Sequence, residues 1–220
     1  EICDGKDNDC DGELDEGSTW EAILFAGHLA PPTSNPDEIS IEAMNEVLGG
    51  SFSARINMNL REDKAWSYGI GSRISKNSSG DQYLVVAGSV QTDKTMESLK
   101  ELMREYTEYV TTRPATDAEL QRVKLNRVRS LPGKFASKRG FLSSMISSDS
   151  FGLPFNYAEN TAKRVEAVSL EDVNNRAERV IRPDKLTWIV VGDLDEIGEK
   201  VRSLGYGPVE VWDGFGERIH

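Results

Sequence analysis

The chain has 220 residues, 38% of them hydrophobic and 29% charged, and a formal net charge of −11. That length buries one core of ordinary size, alone or with an appendage, and leaves little room for two full domains. No apolar run reaches the roughly 18 residues a bilayer span needs, and so much acid without a basic stripe repels phosphate backbones, so neither a membrane span nor nucleic-acid binding is expected.

The acidity is local. Residues 1–17 hold eight acids against Lys6, a balance of −7, which leaves −4 for the other 203 residues. This segment can build almost no core, and it reads as a unit separate from residues 18–220. It also holds both cysteines, Cys3 and Cys10. Their close spacing in an Asp- and Gly-rich loop favours a small disulfide, with two free thiols as the alternative; a disulfide implies an oxidising, periplasmic or extracellular compartment. Asp7, Asp9 and Asp11 alternate ahead of Gly12, with Asp15 and Glu16 following. Hard oxygen ligands at positions 1, 3 and 5 with Gly at 6 are what calcium loops use, although Ser18 stands where an EF-hand has its Glu.

From Ser18 the texture changes. TWEAILFAGHL predicts a strand ended by Pro31-Pro32, and Asn35-Pro36-Asp37-Glu38 a helix start with Asn35 at the N-cap. Ile41, Met44, Val47 and Leu48 share one face of that helix, which Gly49-Gly50 interrupts; residues 51–64 read as a second, short helix. SYGIGSRISK and DQYLVVAGSVQ form a hairpin around the tetrad Asn77–Gly80. Beyond Thr92 the period becomes helical, with Met96, Leu99, Met103, Tyr106 and Val110 as the apolar stripe. Thr116 and Glu119 form a capping box for a helix expected to end near Ser130, ahead of Pro132-Gly133. Residues 134–165 read as mostly helical with a break at Gly152–Pro154, and Ser169 and Asp172 open another helix that ends before Pro183. LTWIVVGD is a short buried-type strand, followed by a helix over 195–204 and a terminal strand over 208–212. The whole is an α+β class: a mostly antiparallel sheet with helices packed on one face.

Several stretches carry a family resemblance in order from about residue 20 to 213: AGHLAPP, NEVLGGSFSARINMNLREDKAWSYGIGS, AGSVQTDKT and AVSLEDVNNRAERVIRPDKLTWIVVGDLDEI. They resemble the C-terminal, non-zinc-binding domain of the pitrilysin (insulinase) family of zinc peptidases, similar to mitochondrial processing peptidase. The signature is an LGG-x-F-S-x-R run, then L-R-E, then Tyr, matched by Leu48, Gly49, Gly50, Phe52, Ser53, Arg55, Leu60, Arg61, Glu62 and Tyr68. The resemblance implies a domain that closes on a peptide against a partner subunit or N-terminal domain, which holds zinc through H-x-x-E-H and a downstream Glu. It also implies that Arg61 and Tyr68 hold the substrate. Read as residues alone, Arg61 is equally a helix-end arginine capping carbonyls, and Tyr68 an outward strand residue. Two positions depart from the family: Ala65, where a Gly usually precedes the Tyr, with bulky Trp66 beside it; and the acidic segment, which replaces a first strand and leaves a sheet edge open or supplied by a partner. The front segment resembles metal-binding repeats of secreted bacterial proteins and, more distantly, thrombospondin type-3 calcium repeats.

With His28 and His220 as the only histidines there is no H-x-x-E-H motif, and no G-x-S-x-G elbow occurs. His28 is expected to be a packed or edge residue. The isolated chain is therefore expected to have no peptidase activity, and zinc is expected only in the partner. Two other readings stand beside this one: a non-enzymatic assembly protein of the same fold, like the core subunits of respiratory complexes, and a calcium-dependent extracellular interaction module.

Overall fold

The computed structural model describes residues 21–77, 80–154 and 156–219. The calcium and disulfide readings of residues 1–17 (Cys3, Asp7, Asp9, Cys10, Asp11, Asp15 and Glu16) lie outside the described residues, as do Ser78, Ser79 and His220.

Strand β1 (Glu21–Ala30) alternates strictly: Ala22, Leu24 and Ala26 are fully buried while Ile23, Phe25 and Leu29 face outward. It runs antiparallel to β3 (Gln82–Gln91) on one side and to β4 (Thr187–Val191) on the other; β2 (Gly69–Ser75) pairs with β3, giving the order β2-β3-β1-β4. Helices cover one face only. Helix α1 (Glu38–Leu48) buries Ile41, Met44, Val47 and Leu48 as its periodicity requires. Helix α3 (Thr95–Tyr109) packs beside it, and the Tyr109 hydroxyl donates to the Met44 carbonyl at 3.1 Å.

The α1 end docks on β2 through two devices. Asn45 Oδ1 accepts from the Ser72 hydroxyl at 2.7 Å, and the Ser72 amide donates to the Gly49 carbonyl at 2.8 Å. A Cβ at position 49 would stand 2.5 Å from Ser72 Oγ, so only glycine lets helix and strand approach this closely. A charge network ties α1 further. Lys76 bridges Glu38 and Glu42, and Arg127 reaches Glu42 and, at 3.4 Å, Glu46. Burial pushes the Glu42 carboxyl up, but Arg127 and Lys76 outweigh it and hold the group below its ordinary value.

The remaining helices are α2 (Arg55–Asn57), which widens directly into a π-helix (Met58–Asp63), α4 (Asp117–Phe135), α5 (Lys138–Ser150), α6 (Tyr157–Ala167), α7 (Leu170–Val180) and α8 (Leu194–Ser203). The expected capping box of Thr116 with Glu119 forms, and Ser169 with Asp172, expected to open a helix, makes a second one. Among the described residues no helix is long and apolar enough to cross a membrane.

Four local expectations are corrected. Asn35 is not the α1 N-cap: its side chain accepts from the Asp37 amide at 2.9 Å, and Asp37 occupies the cap. Helix α4 runs through Pro132 to Phe135, because an exposed proline near a helix end forfeits one hydrogen bond to a carbonyl that water can satisfy. The buried stripe of α3 is Leu99, Leu102, Tyr106 and Tyr109, rotated from the predicted one, with Met96, Met103 and Val110 half-buried. No strand forms over 208–212; Trp212 makes an isolated bridge to Arg218.

Candidate functional site

Residues 52–69 assemble the site, and one asparagine organises them. Asn57 Nδ2 donates to the Phe52 carbonyl at 2.7 Å while its Oδ1 accepts from the Ile70 amide at 3.4 Å, joining the turn before α2 to the start of β2. Ser67 donates to the Ser89 carbonyl and accepts from the Gly69 amide at 3.1 Å, and the Gln91 amide donates to the Trp66 carbonyl at 2.9 Å. Tyr68 thus projects from a backbone pinned on both sides.

Arg61 lies on the π-helix, whose wide turn changes the direction in which its side chain leaves the axis. Its guanidinium carbon stands 4.6 Å from the Phe52 ring centroid and 5.3 Å from that of Tyr68, with Glu62 at 3.4 Å as its ionic neighbour. The two rings are 60% and 83% exposed, so they clamp the arginine at the surface and are not part of the core. Of the two plainer readings, carbonyl capping is not what Arg61 does among the described residues, while Tyr68 does point outward, against Arg61. Phe52 joins the pair as a third member. The signature contains it, but its role depends on the π-turn, which no periodicity announces.

Among the described residues the sheet face opposite the helices is uncovered. Gly69 pairs with Ser89, Ser89 with Ile23 and Ile23 with Val191, and the face of this row carries Ile23, Phe25, Ile189 and Val191, all exposed. Among the described residues β4 has one sheet neighbour, β1, which leaves an unpaired edge there.

Ala65 shows what the missing glycine does. It ends the π-helix with φ at +51°, its amide on the Arg61 carbonyl at 3.0 Å, in a left-handed conformation that disfavours a Cβ. Trp66 tucks half-buried against the core and carries Lys64 over its ring at 5.4 Å. Ala65→Gly is accordingly expected to stabilise the fold by about 1 kcal/mol. Urea denaturation of both proteins checks this, and a lower midpoint for the glycine variant would contradict it.

Among the described residues no three His, Cys, Asp or Glu side chains come together to hold a metal. His28 is 7% exposed and spoken for: one ring nitrogen meets the Leu29 carbonyl at 2.9 Å, and the other accepts from the Arg182 amide at 3.3 Å. That tautomer is neutral, and burial lowers its pKa.

Comparison with known proteins follows the same lines. The sequence pattern described as the peptidase M16 inactive domain matches residues 14–127. Among curated proteins none matches significantly. Among solved structures, the peptidase M16 inactive domain from Pseudomonas fluorescens superposes with a TM-score of 0.69 at 20% identity, over 78% of this chain and 41% of that one. A protease from Helicobacter pylori gives 0.69 at 15% identity, over 77% and 41%. The periplasmic protease PqqL from Escherichia coli gives 0.65 at 18% identity, over 78% and 19%. The chain therefore spans about two-fifths of the length of the first two and a fifth of the third, and at these identities the likeness is one of fold.

Proposed function

Because the chain belongs to the M16 peptidase family as one of its inactive domains, we propose that it is the substrate-positioning part of a zinc endopeptidase, holding extended peptides for hydrolysis at a zinc ion carried by a partner subunit or domain. The observation that carries this reading is the clamp of Arg61 between Phe52 and Tyr68. A guanidinium fixed between two ring faces has its N–H directions set in advance, so it can donate to a peptide carbonyl without first losing rotamer freedom. Tyr68 adds a phenol that can donate beside it. The uncovered apolar sheet face offers room for the side chains of an extended strand.

Bound zinc would polarise the scissile carbonyl; this chain's contribution is to orient the peptide and to place donors near the oxygen that gains charge. The cysteine pair and the likeness to a periplasmic protease support a periplasmic or extracellular setting. The acidic front segment, with Asp7, Asp9, Asp11, Asp15 and Glu16, is proposed to take calcium.

The reading is tested by fluorescence anisotropy with a labelled, unstructured peptide. The chain should bind it, and Arg61→Ala and Tyr68→Ala should each weaken binding by about tenfold, the equivalent of one charge-assisted hydrogen bond. Unchanged affinity in both variants would remove the clamp from the proposal.

A further inference from the structure

Helix α5 (Lys138–Ser150) buries its small residues and exposes its large ones. Gly140 and Ser144 are half-buried and Ser148 is buried, one small residue per turn on the side that meets the rest of the chain. A Cβ at position 140 would stand 1.9 Å from the Lys134 carbonyl oxygen, so this side lies tight against the end of α4. The opposite side carries Phe141, Leu142, Met145 and Ile146, which are 44–59% exposed, and none of them belongs to the core. A surface helix ordinarily does the reverse, turning its apolar stripe inward and its serines to water. Four large apolar side chains on adjacent turns, uncovered among the described residues, make a surface suited to another molecule.

The charges on the same face select which molecule. At about 100° of rotation per residue, Lys138, Leu142, Met145 and Asp149 form its central line, with Phe141 on one flank and Ile146 on the other; Arg139 falls outside it, beyond Ile146. Lys138 and Asp149 stand about 16 Å apart along the axis, out of each other's reach, and neither has an ionic partner among the described residues. Each also sits at the unfavourable end, since a cation in the first turn and an anion in the last oppose the helix dipole. A second copy of α5 laid antiparallel, centred between Ser143 and Ser144, relieves both mismatches. Lys138 then faces Asp149 of the second copy, Leu142 faces its Met145, and two-fold symmetry makes each contact twice. An anionic bilayer suits this line less well, because Asp149 stands in it.

We infer that α5 is a homodimer contact, through which two copies of the chain pair antiparallel by this face. Four apolar side chains and two charges per copy fall short of the roughly 20–30 residues a side of a standard interface, so association is expected in the micromolar range. The inference is independent of the peptide-holding reading, because no residue of the Arg61 clamp lies on α5.

Sedimentation equilibrium of the full chain, at concentrations from micromolar to millimolar, tests it and should show monomer and dimer in equilibrium. Leu142→Asp, at an exposed position where thermal melting should be unchanged, should weaken dimerisation by about tenfold or more, since a symmetric contact loses the same side chain twice. Lys138→Asp and Asp149→Lys should each weaken it about tenfold by setting like charges against each other. An equimolar mixture of these two variants should associate as well as the parent, because every ionic contact is then restored between unlike copies, which a defect within one copy would not allow. A chain that stays monomeric, a dimer indifferent to Leu142→Asp, or charge variants that mixing does not rescue would each overturn the inference. So would a monomer that uses this face to bind a zinc-bearing M16 subunit, which would make that subunit the occupant.

Discussion

On the proposed reading, Arg61→Ala is expected to lower kcat/KM of the chain paired with a zinc subunit by about 10²- to 10³-fold, the usual effect of removing one preorganised donor from a developing oxyanion. The expectation follows from the clamp: the Phe52 and Tyr68 rings hold the guanidinium in place before any substrate arrives. Arg61→Lys should recover only part of the loss, because an ammonium keeps the charge but neither the planar stack nor the paired N–H groups. Phe52→Ala should act through the same guanidinium, loosening it without removing it, with a smaller loss of around tenfold. The measurement is cleavage of a quenched fluorescent peptide by the chain mixed with a zinc-bearing M16 subunit. The zinc subunit alone provides the baseline, and thermal melting of each variant separates a lost donor from a lost fold. A full rate with Arg61→Ala would remove this residue from substrate handling.

Much of the architecture was legible because it rests on periodicity. Strand β1 alternates residue by residue, α1 buries the predicted face, and both capping boxes form from short-range side-chain chemistry. What escaped depends on distant partners. Residues 208–212 read as a strand, yet Val209 and Trp212 stay 44% and 55% exposed, and the segment pairs with its own continuation, Trp212 bridging to Arg218 and the Ile219 amide donating to the Val211 carbonyl at 2.8 Å. The α3 stripe rotated because the sheet and α1 dictate which face of the helix is covered, and Tyr106 and Tyr109 fill more volume there than Met103 or Val110 would. The site divides the same way. Arg61 and Tyr68 were reachable through a family resemblance alone, and Ala65 stood out as a residue where glycine belongs, which its positive φ explains. The π-turn that carries Arg61 to Phe52 has no sequence signature of its own, and the Asn57 bonds beside it, to Phe52 and Ile70, form only once the chain is folded.

The other arginine of the signature, Arg55, is expected to matter for stability and not for chemistry. Its Nε and Nη2 meet the two Glu119 oxygens at 2.7 Å each, its remaining donors reach the carbonyls of Arg113 and Pro114, and its guanidinium stacks 4.8 Å from the Tyr109 ring centroid. One side chain thereby fastens α2 to the 113–114 turn, to the α4 capping box and to the core face of α3. Both partners are largely shielded from water, and burial raises the Glu119 pKa; but hydrogen bonds from Arg55 and Thr116 outweigh burial and bring the carboxyl down to about 2 from an ordinary 4.5. Arg55→Ala leaves that carboxylate with only its Thr116 donors and two carbonyls without their donor, so a loss of about 3 kcal/mol is expected, the low end for a buried pair because some solvent contact and the Thr116 bonds remain. The pH dependence identifies the cause. A depressed carboxyl contributes its stability above about pH 4.5 and loses it as pH falls toward 2, so the gap between parent and Arg55→Ala should be full at neutral pH and close progressively across that interval. Arg55→Lys, which can satisfy one oxygen but not both, should fall between the two. Guanidinium denaturation at pH 7 and pH 3 measures the gap directly. A gap of the same size at both pH values would place the stabilisation in the stack on Tyr109 instead of the ion pair.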